Sequence, residues 1–406
     1  MRSMRRLRIL QIFSRYLKFG GEEGFVDSFR NALLPSHDVT DYQGSTEELL
    51  GRSFSSKLML PVRAFHSSRV ANELRHLQKK GSFDLWVIQN ALPGLSPSVY
   101  QTAFDLKVPV VHYLHNYRMG CTNGFFLNHG QPCERCLGGN FWPAFQTACW
   151  RNSRLISGFM GLILRRVRSV GTFQNVAAWV ALSQAHRSKH IAMGIPQDRI
   201  HVVPHFYEPK GAPIPPCPNG SVLFLGRLSP EKGVDHLLRA WKLVQSKGRK
   251  LIIAGDGPEK ERLQNQAREL GLADVEFVGF LDREQQRAVW AKTAFSVIPS
   301  IWSEPFPLTF LESWTQDRTF VANRLGAMAE VVIEGKDGLL AEPFSAESLS
   351  SKIQQLINQP ELCTMMGSAG KGRILNEFNR ALWLSRIEAV YEKALSNTVT
   401  KSPSQA

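Results

Sequence analysis

Short runs of aliphatic and β-branched residues alternate with amphipathic helical stretches along nearly the whole chain. In the first half, the runs with strand character are residues 8–13, 84–89, 108–114, 178–183 and 200–205. In the second half, they are residues 221–227, 250–257, 275–280, 294–300 and 319–324. Alternation of this kind is typical of βαβ units. The pattern therefore predicts an α/β fold with two open parallel sheets.

Residues 206–220 interrupt this rhythm with five prolines in fifteen residues. Such density is incompatible with a helix or a central strand, so the segment is predicted to be a linker. We expect an N-terminal Rossmann-like domain over residues 1–205 and a second one over 221–375. Residues 376–396 are predicted to form a helix that packs back toward the N-terminal domain, before a loose tail at 397–406. Because ligands of open parallel sheets bind beyond the carboxyl ends of the strands, we expect the site in the cleft between the domains.

Positive charge is concentrated in the first half of the chain. Residues 1–200 contain 25 Lys and Arg against 12 Asp and Glu, whereas the remaining residues contain 24 against 23. A local positive field indicates an anionic partner such as a membrane surface, a phosphorylated lipid or a nucleic acid, unless it serves only solubility. Nucleic acid is not expected, because the chain has no helix-turn-helix, zinc-finger or RNA-binding signature.

The apolar run at residues 155–164 is too short to span a bilayer. The basic start at residues 1–13 has no small-residue cleavage site and predicts a buried strand rather than a signal peptide. We therefore expect a cytoplasmic protein with reduced thiols, peripherally bound to the inner face of the membrane if it binds lipid. Residues 150–170 combine apolar side chains with five arginines. This pattern fits either a helix that lies on an anionic bilayer or a core helix whose arginines reach solvent.

Two loops that follow predicted strands carry residues suited to an anion. In "LGRLSPEKGVD", Gly226 and Arg227 end a strand and Lys232 precedes a helix. The side-chain charges and the helix dipole there favour a diphosphate, although a surface turn with two solvated cations gives the same pattern. In "AGDGPEKERL", Gly255 would allow the backbone to approach a base or a ribose closely.

Two glutamates flank the predicted start of a helix in "SEPFPLTFLESW". The prolines between them are tolerated only before the helix or in its first turn, so Glu304 should lie in the loop and Glu312 one to two turns inside the helix. Eight helical residues span about 12 Å, too far for a proton-sharing pair but suited to two contacts along one extended ligand. Pro307 has no N–H, so backbone donors to a phosphate would be neighbours such as Phe306 and Leu308.

Together these segments resemble the retaining glycosyltransferases of family 4, which have the GT-B fold of two Rossmann-like domains facing each other across a cleft. The resemblance extends from about Leu7 to Tyr391. It rests on "FLGRLSPEKG", "AGDGPEKERL", the E-x7-E pair Glu304 and Glu312, "RLGAMAEVVIEGKDGLLAEP" and the N-terminal "FGGEEGFV". It implies an enzyme that transfers a sugar from a nucleotide diphosphate to a glycan acceptor, including lipid-linked acceptors of polysaccharide or cell-surface glycan biosynthesis.

The resemblance also implies roles for the matching positions. The implied catalytic residues are His115, Arg227, Lys232 and Glu304, and the implied donor-binding residues are Gly20, Gly21, Gly226, Gly255, Phe306, Leu308 and Glu312. Arg227 and Lys232 would hold the diphosphate, Glu304 the transferred sugar and Glu312 the ribose hydroxyls. His115 would lie beside the sugar, whereas a lone histidine without this context is more often structural.

The implied chemistry requires no cofactor and no divalent cation. Arg227, Lys232 and a helix N-terminus would stabilise the charge that develops on the departing diphosphate. The acceptor hydroxyl would attack on the leaving-group face and pass its proton to a phosphate oxygen, which retains the anomeric configuration.

Two other functions stay open. These are a nucleotide-sugar epimerase of the same two-domain shape and a non-catalytic nucleotide-sugar-binding scaffold.

Three residues depart from the pattern of the family. Asp317 and Thr319 stand where glycine and proline are common in the family, and His205 stands where asparagine is frequent. A dehydrogenase is not expected, because no G-x-G-x-x-G follows the first strand.

An insertion at about residues 117–150 contains four cysteines, namely Cys121, Cys133, Cys136 and Cys149. The C-x2-C pair within it is a frequent element of structural zinc sites. The spacing of the outer two is looser than in common zinc modules, so both a structural zinc and four free thiols stay open.

Overall fold

The computed structural model describes residues 4–15, 21–45, 64–208, 211 and 214–399. The chain divides into two compact units. The first consists of residues 1–129, 133–203 and 383–406, and the second of residues 130–132 and 204–382. Gly20, predicted to bind the donor, lies outside the described residues.

The first unit contains a parallel sheet of six strands in the order β2-β1-β3-β4-β5-β6. Its strands are β1 (Arg8–Arg15), β2 (Asp38–Ser45), β3 (Leu85–Asn90), β4 (Val110–Tyr113), β5 (Ala178–Ala181) and β6 (Ile200–Val202). Its helices are α1 (Gly21–Leu33), α2 (Ser68–Gly81), α3 (Ser98–Asp105), α4 (Trp142–Gln146), α5 (Arg154–Ser169), α6 (Thr172–Asn175) and α7 (Gln184–Ala192). A two-residue strand occupies Leu127–Asn128, and a 3₁₀ turn spans Gln197–Arg199. Another two-residue strand, Gln131–Pro132, belongs to the second unit.

The second unit contains another parallel sheet of six strands, in the order β9-β8-β7-β10-β11-β12. Its strands are β7 (Ser221–Leu225), β8 (Leu251–Ala254), β9 (Val275–Gly279), β10 (Thr293–Ile298), β11 (Thr319–Asn323) and β12 (Leu339–Ala341). Its helices are α8 (Val234–Lys242), α9 (Lys260–Glu269), α10 (Arg283–Trp290), α11 (Leu308–Thr315), α12 (Ala327–Val331), α13 (Ala346–Asn358) and α14 (Pro360–Glu377), with a 3₁₀ turn at Pro230–Lys232.

These two sheets confirm the predicted fold class of α/β with parallel strands. Every residue of β3, β4, β10 and β11 is buried, as expected when helices cover both faces of a parallel sheet. Two strands, β2 and β12, have no counterpart in the predicted set. Both lie at an edge of their sheet, and β2 is too polar and β12 too short to produce a strong apolar signal.

Most of the last helix, α15 (Arg380–Val399), belongs to the first unit. The ring of Trp383 meets Phe29 of α1 edge-on, with centroids 5.1 Å apart. Further along α15, Oε1 of Glu388 lies 3.3 Å from Nε2 of the buried His37. The last helix, α15, therefore packs against α1, the helix that follows β1.

Two buried arginines hold residues 215–220 of the predicted linker segment to the second unit. Arg318 donates to the carbonyl of Pro215 at 2.7 Å. Arg249 donates to the carbonyls of Pro218 and Gly220 at 2.8 and 3.1 Å. Because a proline-rich segment has few N–H groups to offer, it is bound through its carbonyl oxygens.

Substituting Gly370 of α14 by alanine should destabilise the second unit. A Cβ at this position would lie 2.0 Å from Cδ1 of the buried Trp314, and the packed indole cannot move without cost. We expect the free energy of unfolding to fall by about 1–3 kcal/mol in chemical denaturation.

Gly372 is the matched control, because it lies in the same helix with no atom within 4 Å of its Cβ position. There the same substitution should stabilise the protein by about 0.5–1 kcal/mol. Equal effects of Gly370→Ala and Gly372→Ala would contradict the packing explanation.

Candidate functional site

The sheet of the second unit has the strand order of a dinucleotide-binding fold, with the direction of winding reversed between β7 and β10. These two strands pair in parallel, with Val222 opposite Phe295. Their carboxyl ends therefore lie side by side. The loop with Arg227 and Lys232 leaves one strand, and the loop with Glu304 leaves the other.

A partly buried ion pair joins the two loops. Nζ of Lys232 donates to Oε1 of Glu304 at 2.7 Å. Ser300 donates its hydroxyl to the same oxygen. Glu304 is 5% exposed, and a carboxylate at this depth needs such partners to offset its desolvation. The structure thus brings together two of the predicted catalytic residues, which are 72 positions apart in the chain.

Backbone contacts fix the two loops to each other. A Cβ on Gly233 would lie 2.1 Å from the carbonyl oxygen of Pro299, and Gly233 has a positive φ of 67°. The N–H of Ile301 donates to the carbonyl of Glu231 at 3.0 Å. Asn323 of β11 donates to the carbonyl of Pro299 at 2.9 Å. The geometry of the ion pair is therefore imposed by backbone contacts between the two loops and by the side chain of Asn323 on β11.

Arg227 stands at the surface beside these loops. Its side chain is 58% exposed, and Nη2 lies 3.5 Å from Oε1 of Glu231. Glu231 is buried and accepts from the hydroxyl of Ser229 at 2.6 Å. Arg227 is therefore oriented by a buried carboxylate while most of its guanidinium faces solvent. Neither Ser229 nor Glu231 was among the predicted site residues, although both belong to the segment "LSPEKG".

Gly326, also absent from the predicted set, supports the backbone of Glu304. A Cβ at this position would lie 2.5 Å from the carbonyl oxygen of Glu304 and 2.8 Å from its nitrogen. The N–H of Ala327, the first residue of α12, donates to that same carbonyl at 3.0 Å. The only sequence signal for this contact is the "RLGAMAE" motif, which does not reveal its partner.

Glu304 and Glu312 lie where the positions of the prolines led us to expect them. Glu304 lies in the loop before α11, whereas Glu312 is the fifth residue of that helix and half-buried. The burial of Tyr207 and the negative charge of Glu312 raise the pKa of the Tyr207 phenol. Phe306 is buried and Leu308 begins α11. The neighbourhood of Glu312 thus includes an aromatic hydroxyl that no motif in the sequence indicated.

Gly226 and Gly255 pack the neighbouring loops together. The N–H of Gly226 donates to Ala254 at 3.0 Å, and the N–H of Gly255 donates to Gly279 at 2.7 Å. Gly255 has a φ of 146°, and a Cβ there would lie 1.8 Å from the carbonyl oxygen of Gly226. Loop packing alone therefore requires a glycine at 255, and its approach to a ligand stays a prediction.

His115 follows β4 in the first unit. Its Nε2 lies 2.9 Å from Oε1 of Gln89, and its ring lies 5.2 Å from that of Tyr113. Burial lowers the pKa of His115 to about 3, so the imidazole is neutral near pH 7. His115 lines a small cavity together with Asn116 and Arg118. Gly21, predicted to lie near the phosphate, is the first residue of α1.

The four cysteines of the insertion line one small cavity in the first unit. Burial, and the charge that neighbouring thiolates would carry, raise the pKa of Cys136 to about 12. Cys149 and Thr122 are joined by a hydrogen bond of 3.0 Å. Among the residues that the structure describes, no group of three or more His, Cys, Asp or Glu side chains is arranged to hold a metal ion. None of the four is in a disulfide, and the choice between a structural zinc and four free thiols stays open.

Two residues that depart from the family pattern, Asp317 and His205, are accommodated by their surroundings. Asp317 has a φ of 55°, a left-handed conformation in which glycine is unstrained and aspartate is tolerated. It also forms an ion pair with Lys371. His205 is buried, with its ring 5.8 Å from that of Phe306.

Residues 218–373 match the family model described as "Glycosyl transferases group 1". An uncharacterised glycosyltransferase of Methanocaldococcus jannaschii is 32% identical over 171 residues, which is 42% of this chain and 47% of that protein. The chain thus spans less than half the length of this curated relative. The matched segment contains both loops of the ion pair.

Solved structures are similar over nearly the whole chain. Anabaena HepE, in complex with UDP and glucose, has a TM-score of 0.69 at 17% identity and covers 95% of this chain and 100% of its own. Sucrose-phosphate synthase of Thermosynechococcus elongatus has a TM-score of 0.70 at 16% identity, with 96% and 100% covered. The fold is GT-B. Its two Rossmann-like domains correspond to the two six-stranded sheets.

Substituting Gly326 by alanine should loosen the loop that carries Glu304. The new Cβ would press on the Glu304 backbone, so we expect faster amide hydrogen exchange in residues 299–308, measured by mass spectrometry. Gly335 is the control, because its φ of 76° is similarly strained for alanine but nothing lies within 4 Å of its Cβ position. The same change in exchange for Gly335→Ala would show that backbone strain, and not contact with Glu304, is responsible.

Proposed function

We propose that the protein is a retaining glycosyltransferase of family 4, which transfers a sugar from a nucleotide diphosphate to a glycan acceptor. The observation that carries the proposal is the Lys232–Glu304 pair at the point where the sheet order reverses. A Rossmann-like sheet binds nucleotides at this point. The match of residues 218–373 to group 1 glycosyl transferases supports the same conclusion.

The two loops suit a donor with charged and hydroxylated parts. An ammonium has three N–H groups, so Lys232 can keep its bond to Glu304 and also donate to a diphosphate. Exposed Arg227 adds a second cation. The Glu304 carboxylate accepts hydrogen bonds from Lys232 and Ser300 at Oε1, and we assign Oε2 to a hydroxyl of the transferred sugar. We assign Glu312 on α11 to the ribose hydroxyls.

The proposed reaction depends on electrostatic stabilisation more than on a strong base. As the anomeric bond breaks, negative charge develops on the departing diphosphate, where Lys232, Arg227 and the N–H groups at the start of α11 can stabilise it. These groups are in place before the reaction, since the loops are fixed by backbone contacts. His115 keeps its implied role beside the sugar, and we expect the reaction to proceed without a divalent metal.

An epimerase and a non-catalytic scaffold are the alternatives to be tested. The structure of HepE in complex with UDP and glucose supports UDP-sugars as the first donors to try. A glycosyltransferase should release nucleoside diphosphate slowly without acceptor, an epimerase should isomerise the sugar, and a scaffold should do neither.

The two glutamates should separate binding from turnover. Glu304→Gln should lower the rate of donor hydrolysis by about 100-fold or more, because it removes charge beside the reacting sugar. Glu312→Gln should mainly weaken nucleoside diphosphate binding, by about tenfold for one lost hydrogen bond. Rates are measured by release of nucleoside diphosphate, and binding by the thermal shift with UDP, GDP and ADP.

The control is Glu347→Gln. Glu347 lies in the first turn of α13, is exposed and belongs to neither loop. The substitution should leave both quantities unchanged. If Glu304→Gln and Glu312→Gln affect rate and binding equally, the assignment of the two residues is wrong. If no nucleoside diphosphate shifts the melting temperature, the proposed donor class is wrong.

We also propose that the acceptor is lipid-linked and that the first unit binds an anionic membrane surface. One face of α5 is buried through Met160, Ile163 and Leu164, whereas Leu155 and Leu162 on the same helix are 80% and 53% exposed. Arg151, Arg154 and Arg165 are exposed beside them. Exposed leucines flanked by arginines suit an anionic bilayer. No helix in the described ranges is both long and apolar enough to span a membrane.

Replacing both exposed leucines should reduce membrane binding. Leu155→Ser with Leu162→Ser should weaken flotation with vesicles of anionic lipid several-fold, because the inserted apolar area is lost. The matched control is Leu243→Ser with Leu375→Ser, two leucines of the second unit that are 55% and 64% exposed. Wild-type protein that ignores anionic vesicles at low salt, or equal losses in both double variants, would contradict the proposal.

A further inference from the structure

A line of hydrogen bonds crosses the sheet of the first unit and ends on His115. Nε2 of Gln11 on β1 donates to Oδ1 of Asp41 on β2 at 3.0 Å. Nε2 of Gln89 on β3 donates to Oε1 of Gln11 at 3.3 Å. Oε1 of Gln89 lies 2.9 Å from Nε2 of His115, which follows β4. The line therefore connects four neighbouring strands.

The register of the sheet accounts for this alignment. Gln11 lies directly opposite Asp41 on β2 and Val87 on β3, and opposite residues share a face of the sheet. Gln89 is the extra residue at a β-bulge, where the register passes from Ile12 opposite Ile88 to Phe13 opposite Asn90, and from there its amide reaches Gln11. The aromatic rings of Phe25 and Tyr113 lie 6.1 and 5.2 Å from the ring of His115.

A stable sheet does not require glutamine at position 11 or position 89. Gln11 is 2% exposed and Gln89 is 1% exposed. A buried amide is costly unless all its groups are bonded, whereas apolar side chains at the same positions would need no partners. Their hydrogen bonds lead from a carboxylate to a histidine at the end of a strand, where the cavity with Asn116 and Arg118 opens.

Asp41 sets the direction of every bond in the line. An ionised carboxylate only accepts, and Oδ2 of Asp41 lies 3.0 Å from Nε of Arg30. Gln11 must therefore turn its NH₂ toward Asp41 and its oxygen toward Gln89. Gln89 must then turn its oxygen toward His115. Because an amide oxygen cannot donate, Nε2 of His115 carries the hydrogen and Nδ1 does not.

We infer that Asp41, Gln11 and Gln89 are positioning residues that hold His115 as the Nε2–H tautomer, with Nδ1 as a hydrogen-bond acceptor. The consequence for turnover rests on the proposed function, in which an acceptor nitrogen suits a hydroxyl of the sugar or of the glycan. The tautomer itself is a property of the first unit and can be measured without any substrate.

Asp41→Asn tests the direction of the line. Arg30 needs an acceptor, so the amide oxygen of the variant should turn toward Arg30 and its NH₂ toward Gln11. Each glutamine can then reverse, until Gln89 donates to Nε2 of His115 and the hydrogen moves to Nδ1. We expect this second tautomer to appear in ¹H–¹⁵N spectra of protein labelled at histidine nitrogen, at pH 7. The His115 signals are assigned by their loss in His115→Gln.

Two further variants complete the test. Arg30→Met keeps the carboxylate of Asp41 and should keep Nε2–H as the single tautomer. Gln11→Met combined with Gln89→Met removes both amides at similar volume, leaves no buried amide unpaired and should populate both tautomers. If the wild type carries Nδ1–H, or if Asp41→Asn leaves the tautomer unchanged, the inference is overturned.

Kinetics connects the tautomer to the proposed function. In the double methionine variant, kcat should fall about tenfold or more, the factor expected for one lost hydrogen bond in the transition state, while KM for the donor changes less than about twofold. In Asp41→Asn, kcat should fall in proportion to the fraction of His115 that carries its hydrogen on Nδ1. An altered tautomer with unaltered kcat overturns the role in turnover. Absence of any reaction by the wild type counts against the proposed function, and the spectra still decide the positioning of His115.

Discussion

The buried carboxylate of Glu304 is the constraint around which the second unit is organised. A charge that is 5% exposed must be compensated, and here the partners are Lys232 from the loop after β7 and Ser300 from the loop after β10. For both to reach one oxygen, the two loops have to be in contact. Gly233 against Pro299 and Gly326 against Glu304 make that contact possible, since a Cβ at either glycine would collide with backbone.

The same constraint gives the site its capacity for chemistry. The two loops hold Lys232 against Glu304, which lies just before α11, and the exposed Arg227 belongs to the same loop as Lys232. Preorganised charges cost nothing to reorient during a reaction, as the proposed stabilisation of a departing diphosphate requires. The first unit follows a related design, in which a buried line of amides fixes the state of one histidine.

Much of the fold could be predicted because its signal is local. Strands buried on both faces appear as apolar runs, and the fold class followed from their alternation with helices. The edge strands β2 and β12 could not be predicted in this way, because a polar or very short edge strand lacks the apolar run. The loop before α11 was also predictable, since prolines restrict where a helix can begin. For the candidate site, residue types and chain positions were predictable, but their partners were not.

The sequence by itself determined the α/β class, the positions of the loops at the strand ends and the placement of Glu304 before a helix that contains Glu312. Only the tertiary structure decided that Lys232 pairs with Glu304, that Glu231 orients Arg227, and that Gly326 supports the Glu304 backbone. The physical reason is that these contacts depend on which strands are neighbours. That β7 lies beside β10, and β1 between β2 and β3, is settled by the packing of whole sheets, and no local pattern in the chain encodes it.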